Sequence, residues 1–111
     1  MVFKRGAAQK MRYADFKSEI IKKVGEEITA LIRNYADWKI FLREDEDEDG
    51  FVENYIVIAD TRKDGWYVAF CIDDCYTENY LKDNLSVEEI ASSLTSVFIS
   101  MAKLNNMVDE K

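Results

Sequence analysis

The sequence predicts a two-layer α+β domain in the order α-β-β-β-α, built on a three-stranded antiparallel meander. Its apolar residues follow a helical spacing near the start, a two-residue alternation in the middle and a helical spacing again near the end. A length of 111 residues is typical of one domain, and 48% apolar residues favour a folded core over disorder. We therefore predict a basic tail at residues 1–12 and a single domain at residues 13–111.

The first helix is predicted from apolar residues spaced four or three apart, with charged residues filling much of the remainder. Asp15 is expected to be its N-cap because a carboxylate accepts hydrogen bonds from the first free backbone N–H groups. The apolar face of this helix consists of Phe16, Ile20, Val24, Ile28, Leu31 and Tyr35.

Three strands are predicted where the period changes to two: residues 38–43, then Phe51–Thr61, then Trp66–Asp73. A three-residue bulged loop with a left-handed Gly65 would pair Ile58 with Phe70 and gather the largest aliphatic residues on one face. We choose that register, which also pairs Ile56 with Ile72. The predicted core face is Trp38, Ile40, Leu42, Ile56, Ile58, Trp66, Val68, Phe70 and Ile72.

The opposite sheet face is too apolar for the simple solvated face of an antiparallel sheet. Such a face is either covered by a helix or used as an interface. Its residues are Phe41, Tyr55, Val57, Ala59, Thr61, Tyr67, Ala69 and Cys71.

The last helix is predicted to begin at a capping box formed by Ser86 and Glu89, after a short helical turn at Thr77–Asp83. One side of it is expected to be an apolar stripe and the other side polar but uncharged. The stripe is Val87, Ile90, Leu94, Val97, Met101 and Leu104, and the polar side is Ser92, Ser93, Thr95, Ser96 and Ser100.

The composition argues against an enzyme. The absence of histidine removes Ser–His–Asp and Cys–His mechanisms and every His-ligated metal site, and no phosphate-binding glycine loop is present. Cys71 and Cys75 are expected to be free thiols, with Cys71 half-buried in a strand. We expect a cytoplasmic protein, because no apolar run is long enough for a signal peptide or a membrane span.

Charge is distributed unevenly along the chain. The net charge is −7, yet residues 1–24 carry seven basic against two acidic side chains. This basic start indicates either an arm that touches nucleic acid or the solvated beginning of a helix. The acidic remainder argues against direct binding to nucleic acid or to an anionic membrane.

The sharpest local feature is an acidic run that ends in Gly50. Asp45, Asp47 and Asp49 match the first half of a calcium-binding EF-hand loop, but Ile56 stands where that loop needs a bidentate Glu. The alternatives are a solvated hairpin loop and a functional surface whose carboxylates occupy phosphate positions on a nucleic-acid-binding partner. The run consists of Glu44, Asp45, Glu46, Asp47, Glu48 and Asp49.

The segment Tyr67–Tyr76 (YVAFCIDDCY), followed by Asn79-Tyr80-Leu81 and Ser86-Val87-Glu88-Glu89-Ile90, resembles small domains of unknown function from anaerobic Gram-positive bacteria and their mobile elements. The similarity covers residues 15–98. The chain departs from their pattern in lacking a Pro before the strand and in having Asp83-Asn84-Leu85 where a Gly is usual. The resemblance implies no known activity and transfers no catalytic or binding residues.

These features favour a small, acidic, non-enzymatic binding protein that acts through a protein interface. The concrete hypothesis is a phage or mobile-element inhibitor of a nucleic-acid-handling host complex, of the anti-CRISPR or anti-restriction kind. The acidic run would meet a basic groove, and Phe41, Tyr55, Val57 and Tyr67 would supply apolar anchors. The alternatives are a calcium-binding domain, with no other cofactor expected, and a homodimeric module pairing through the apolar sheet face or the Ser-rich helix.

Overall fold

The computed structural model describes residues 10–62 and 65–111 and has the predicted α+β architecture. The strands form one antiparallel sheet in the order β1-β2-β3. The elements are α1 (Tyr13–Leu31), a 3₁₀ turn (Tyr35–Asp37), β1 (Trp38–Glu46), β2 (Val52–Asp60), β3 (Tyr67–Cys71), α2 (Ile72–Asp74), a π-helix (Cys75–Lys82) and α3 (Val87–Lys103).

The core lies between one face of the sheet and the layer formed by α1 and α3. Trp38 is part of this core. The centroid of its ring lies 4.8 Å from the ring centroid of Phe98 in α3 and 5.5 Å from that of Trp66. Leu42, which was expected in this core, is 43% exposed because it stands on an edge strand, where one flank of each side chain is open. The largest fully buried apolar residues are Phe16, Ile20, Ile28, Ile32, Ile56, Ile58, Ile72 and Phe98.

The predicted register between β2 and β3 is wrong by two residues. Ile56 pairs with Phe70 and Ile58 with Val68, and the Asp60 N–H donates to the Trp66 carbonyl at 3.2 Å. The connection is therefore residues 61–65, two residues longer than predicted, although Gly65 does have positive φ (85°). Because the shift is even, every side chain stays on its predicted face.

The first helix buries Phe16, Ile20, Val24 and Ile28 as predicted, but its ends differ from the prediction. Its N-cap is Arg12, and Asp15 lies inside the first turn without capping it. Leu31 and Tyr35 are exposed, and Ile32 is fully buried in their place. The helix ends at Leu31, and Ile32 is its C-cap in extended conformation, bridged to Glu110. Helical spacing therefore no longer determines which side chain is buried at this end.

The last helix begins at the predicted capping box, with Glu89 N–H donating to Ser86 Oγ at 3.0 Å and Ser86 N–H donating to Glu89 Oε1 at 2.9 Å. The second half of its predicted apolar stripe is wrong. Phe98, the bulkiest side chain of the helix, is fully buried and turns the neighbouring face outward. Val97, Met101 and Leu104 are exposed, whereas Thr95 is buried.

The described part of the predicted tail packs onto the π-helix, which begins two residues before the predicted turn. Lys10 Nζ donates to the Tyr80 carbonyl at 3.0 Å, and the Tyr76 hydroxyl donates to the Met11 carbonyl at 2.6 Å. Residues 1–9, the rest of the predicted tail, lie outside the described residues. Among the helices of the described ranges, none has both the length and the apolar character needed to cross a membrane.

Candidate partner-binding surface

The hairpin of β1 and β2 extends beyond the third strand. Pairing between β1 and β2 runs from Trp38↔Asp60 to Glu46↔Val52, but β3 pairs only with Tyr55–Ala59. Residues 44–53 therefore form a two-stranded projection, which we call the acidic ribbon. All its side chains are exposed, and Phe51 at the end is 69% exposed.

Asp47 shapes the tip of the acidic ribbon. Its Oδ1 accepts hydrogen bonds from the N–H groups of Asp49 and Phe51, both at 2.9 Å, and its own N–H donates to the Phe51 carbonyl. Gly50 completes the turn at φ 87°, in the left-handed region that favours glycine. The Asp47 carboxylate is therefore engaged in hydrogen bonds within the loop. The other carboxylates of the ribbon are the ones available to a partner.

The remaining carboxylates are held in exposed, mutually repelling positions. Asp45 lies directly opposite Glu53, a like-charge cross-strand pair that costs stability. Arg43 partly offsets this repulsion through an ion pair with Asp45 at 3.2 Å. Across the described ranges, no cation lies within 4.0 Å of the carboxylates of Glu44, Glu46, Glu48, Asp49 or Glu53. The ribbon thus presents concentrated negative charge to solvent.

The strand register places the predicted apolar residues together on the sheet face that points away from the helices, which we call the outer face. Phe41 lies opposite Val57, and Ala59 lies opposite Tyr67. Tyr67 is 50% exposed, but Val57 is only 2% exposed and does not belong to the main core cluster. The prediction of Val57 as an apolar anchor is therefore wrong, because its side chain is buried, and the accessible residues of this group are Phe41, Tyr55 and Tyr67.

Arg43 is the central residue of the outer face, although it is not among the apolar residues predicted for that face. Its guanidinium carbon lies 5.4 Å from the Tyr55 ring centroid and 5.6 Å from the Tyr67 ring centroid. A cation over aromatic rings is attracted to their electron-rich faces. The sequence does indicate this placement. Arg43 lies two residues after Phe41 in the same predicted strand, so the two side chains point to the same face.

Asp45, Asp47 and Asp49 do not converge on one point. Asp45 lies in β1 and is paired with Arg43, whereas Asp47 accepts backbone hydrogen bonds within the loop. Among residues 10–62 and 65–111, no group of three Asp, Glu, Cys or His side chains is placed to hold a metal ion. The calcium alternative therefore gains no geometric support.

Both cysteines are free, as expected, and Cys71 is half-buried at the end of β3. Burial raises the pKa of Cys75 to about 11, with the nearby Cys71 and Asp74 acting in the same direction. Burial also raises the pKa of Cys71. Because the thiolate is the reactive form, neither residue is suited to nucleophilic chemistry at neutral pH.

Asp73 ties the base of the ribbon to the helical layer. Its carboxylate accepts hydrogen bonds from the Tyr13 hydroxyl, the Asn54 N–H at 2.9 Å and the Asn54 Nδ2 at 3.3 Å. Burial alone would raise the pKa of Asp73, but these hydrogen bonds outweigh it and lower the pKa below its usual value. Asp73 therefore fixes the point from which the ribbon projects.

Comparisons with protein-family models, with curated proteins and with solved structures gave no match. The resemblance carried by Tyr67–Tyr76 and the residues after it stays a prediction. That segment spans β3, α2 and the start of the π-helix.

Proposed function

We propose that this chain is a small non-enzymatic binding protein whose acidic ribbon enters the basic groove of a nucleic-acid-handling protein. In this role it inhibits a host complex of the CRISPR or restriction kind by occupying the place of a nucleic acid. The observation that carries the proposal is a projecting two-stranded ribbon whose carboxylates are exposed and form few ion pairs with the described residues.

The geometry of a strand supports substitution for a phosphate backbone. Residues i and i+2 of a strand point the same way and lie about 7 Å apart, so Glu44 and Glu46 form a row of charge on one ribbon face. Asp45 and Glu53 add charge on the other face. A groove that binds nucleic acid attracts such a surface electrostatically, and the attraction falls with salt.

The outer face would supply the specific contacts. Tyr and Arg are enriched among the residues that contribute most to interface affinity. Tyr55, Tyr67 and Arg43 form one preorganised cluster beside the root of the ribbon. The charged ribbon would accelerate association, and this cluster would slow dissociation.

The test compares two triple variants with equal net charge. Glu44→Gln/Glu46→Gln/Glu48→Gln removes three ribbon charges but keeps Asp47, which holds the loop. Glu19→Gln/Asp74→Asn/Asp83→Asn removes three carboxylates outside the ribbon. Proteins captured by the native chain from its host are titrated with each variant at two salt concentrations.

The ribbon variant is expected to slow association about tenfold and to flatten its salt dependence, because steering depends on where the charge sits. The control variant should associate nearly as fast as the native chain. Nucleic acid should compete with the native chain for the captured protein. Equal affinities for the two variants, or simultaneous binding of nucleic acid and the native chain, would refute the proposal.

A further inference from the structure

The strand β1 is an edge strand with one row of backbone groups directed away from the sheet. In the β1–β2 ladder, the Thr61 N–H donates to the Asp37 carbonyl at 3.0 Å and the Asp47 N–H donates to the Phe51 carbonyl at 2.9 Å. These bonds identify the odd-numbered residues of β1 as those bonded to β2, because bonded and non-bonded pairs alternate along an antiparallel ladder. The N–H and C=O groups of Ile40, Leu42 and Glu44 therefore point to the free edge.

The space beside this edge is open and largely apolar. A groove of about 800 Å³ lies between α1 and β1, and its lining includes Gly25, Ile28, Trp38 and Ile40. Leu42 follows on the same face of the strand and is 43% exposed. A strand added at this edge would direct alternate side chains toward the groove.

We propose that β1 pairs antiparallel with β1 of a second copy of this chain, with Leu42 opposite Leu42 on the two-fold axis. Leu42 is the middle residue of β1 (Trp38–Glu46), so this register pairs the whole strand with itself. It sets Lys39 opposite Asp45 twice across the interface. It also sets Arg43 opposite Phe41 twice, a pairing of a cation with an aromatic ring.

Charge selects this register over its neighbours. Even-numbered residues must pair with even-numbered residues, because only these carry outward backbone groups, so the axis moves in steps of one residue along the strand. An axis at Phe41 would place Lys39 opposite Arg43, and an axis at Arg43 would place Arg43 opposite Arg43. Both alternatives oppose like charges, which destabilise a cross-strand pair.

The dimer would join two three-stranded sheets into one of six strands. The two-fold axis is perpendicular to the sheet, so both helical layers lie on one side and both outer faces on the other. Pairing also covers an edge that would otherwise be a template for uncontrolled association. The proposal does not depend on the function proposed above, because it rests on the free backbone edge of β1. The paired strand includes Glu44, Asp45 and Glu46 of the acidic ribbon, but strand side chains point to the two faces of the sheet and not into the hydrogen-bonded edge.

The decisive experiment is a charge exchange across the interface. Lys39→Asp and Asp45→Lys each create two like-charge contacts and should weaken the dimer at least tenfold in sedimentation equilibrium. Lys39→Asp/Asp45→Lys restores both opposite-charge pairs and should return the dissociation constant to within about threefold of the native value. Both side chains are exposed in the monomer, so folding is expected to survive, as circular dichroism will check.

A second measurement locates the interface independently. Amide hydrogen exchange of Ile40, Leu42 and Glu44 should slow as the protein concentration rises, while Phe41 and Arg43, already bonded to β2, should change little. A monomer at about millimolar concentration would overturn the proposal. The proposal would also be overturned if the single substitutions left the dissociation constant of the dimer unchanged, or if the double substitution did not restore it.

Discussion

At the scale of single residues, Asp73 has the clearest energetic role. Its carboxylate receives three hydrogen bonds from two residues that belong to α1 and β2. Hydrogen bonds to a charged acceptor stabilise more than neutral ones, and a buried donor left without its acceptor carries its full desolvation cost. Asp73 thus stabilises the junction between the two layers and the ribbon.

Asp73→Asn should lower the free energy of unfolding by about 1–3 kcal/mol at pH 7. The pKa of Asp73 is lowered in the folded state, so its stabilisation is present above the unfolded pKa of about 4 and is lost as the pH falls through the folded value. The stability difference between the native chain and Asp73→Asn should therefore shrink below pH 4. Urea unfolding at pH 7, 5 and 3 measures it.

The control for this prediction is Asp74→Asn, which neutralises the exposed neighbouring carboxylate. It should change stability by less than about 0.5 kcal/mol at every pH. A difference between Asp73→Asn and the native chain that stays constant from pH 7 to 3 would contradict the assigned hydrogen bonds to the charged form.

Arg43 shows why part of the candidate site was missed from the sequence. Alternation correctly placed Phe41, Tyr55 and Tyr67 on one face, because side-chain direction in a strand is fixed by parity. A charged residue does not contribute to an apolar pattern, so alternation alone does not select Arg43. Its contacts with Tyr55 and Tyr67 depend on neighbours in two other strands, which only the register identifies.

At the scale of elements, the number, order and type of the main elements were predictable, but register and helix rotation were not. Registers that differ by two residues bury the same face, so hydrophobic pattern cannot separate them. Ile72 is fully buried although it lies in α2 instead of pairing with Ile56. In α3, the predicted stripe and the buried face share Val87 and Ile90, and the packing of Phe98 on Trp38 selects the buried face beyond them.

The acidic ribbon is an element that contributes little to the core. Replacing residues 46–52 with Asn-Gly joins Asp45 to Glu53 through a two-residue turn, which suits the hydrogen-bonded pair that flanks it. The removed residues are all exposed, so the free energy of unfolding should change by less than about 1 kcal/mol.

Binding to the captured host protein should nevertheless fall sharply in this shortened chain, because the exposed carboxylates of the tip are gone. Urea unfolding and binding kinetics on the same preparation separate the two effects. A large loss of stability would show that the ribbon belongs to the folding unit, and unchanged binding would remove it from the interface.

At the scale of the whole molecule, excess negative charge opposes compaction. The chain carries 22 acidic against 15 basic residues, and its described part extends over 52 × 41 × 19 Å, a thin two-layer shape with much of its charge at the surface. Like charges brought closer by folding repel one another, and salt screens them over a length that falls from about 30 Å at 0.01 M to about 8 Å at 0.15 M.

Stability should therefore rise with salt, by about 0.5–1 kcal/mol between 10 and 150 mM NaCl at pH 7. Much of the repulsion among consecutive residues 44–49 persists in the unfolded chain, so the total charge should matter more for stability than its position. The ribbon and control triple variants, each less negative by three charges, should then gain similar stability and lose similar salt dependence. Urea titrations at both salt concentrations test this.

A fall in stability with salt would mean that attractive pairs dominate, and a gain confined to the ribbon variant would mean that folding itself compresses the ribbon's charge. Equal stabilities combined with unequal partner binding would separate the two roles of charge: its sum sets the cost of folding, and its position determines which surface a partner approaches.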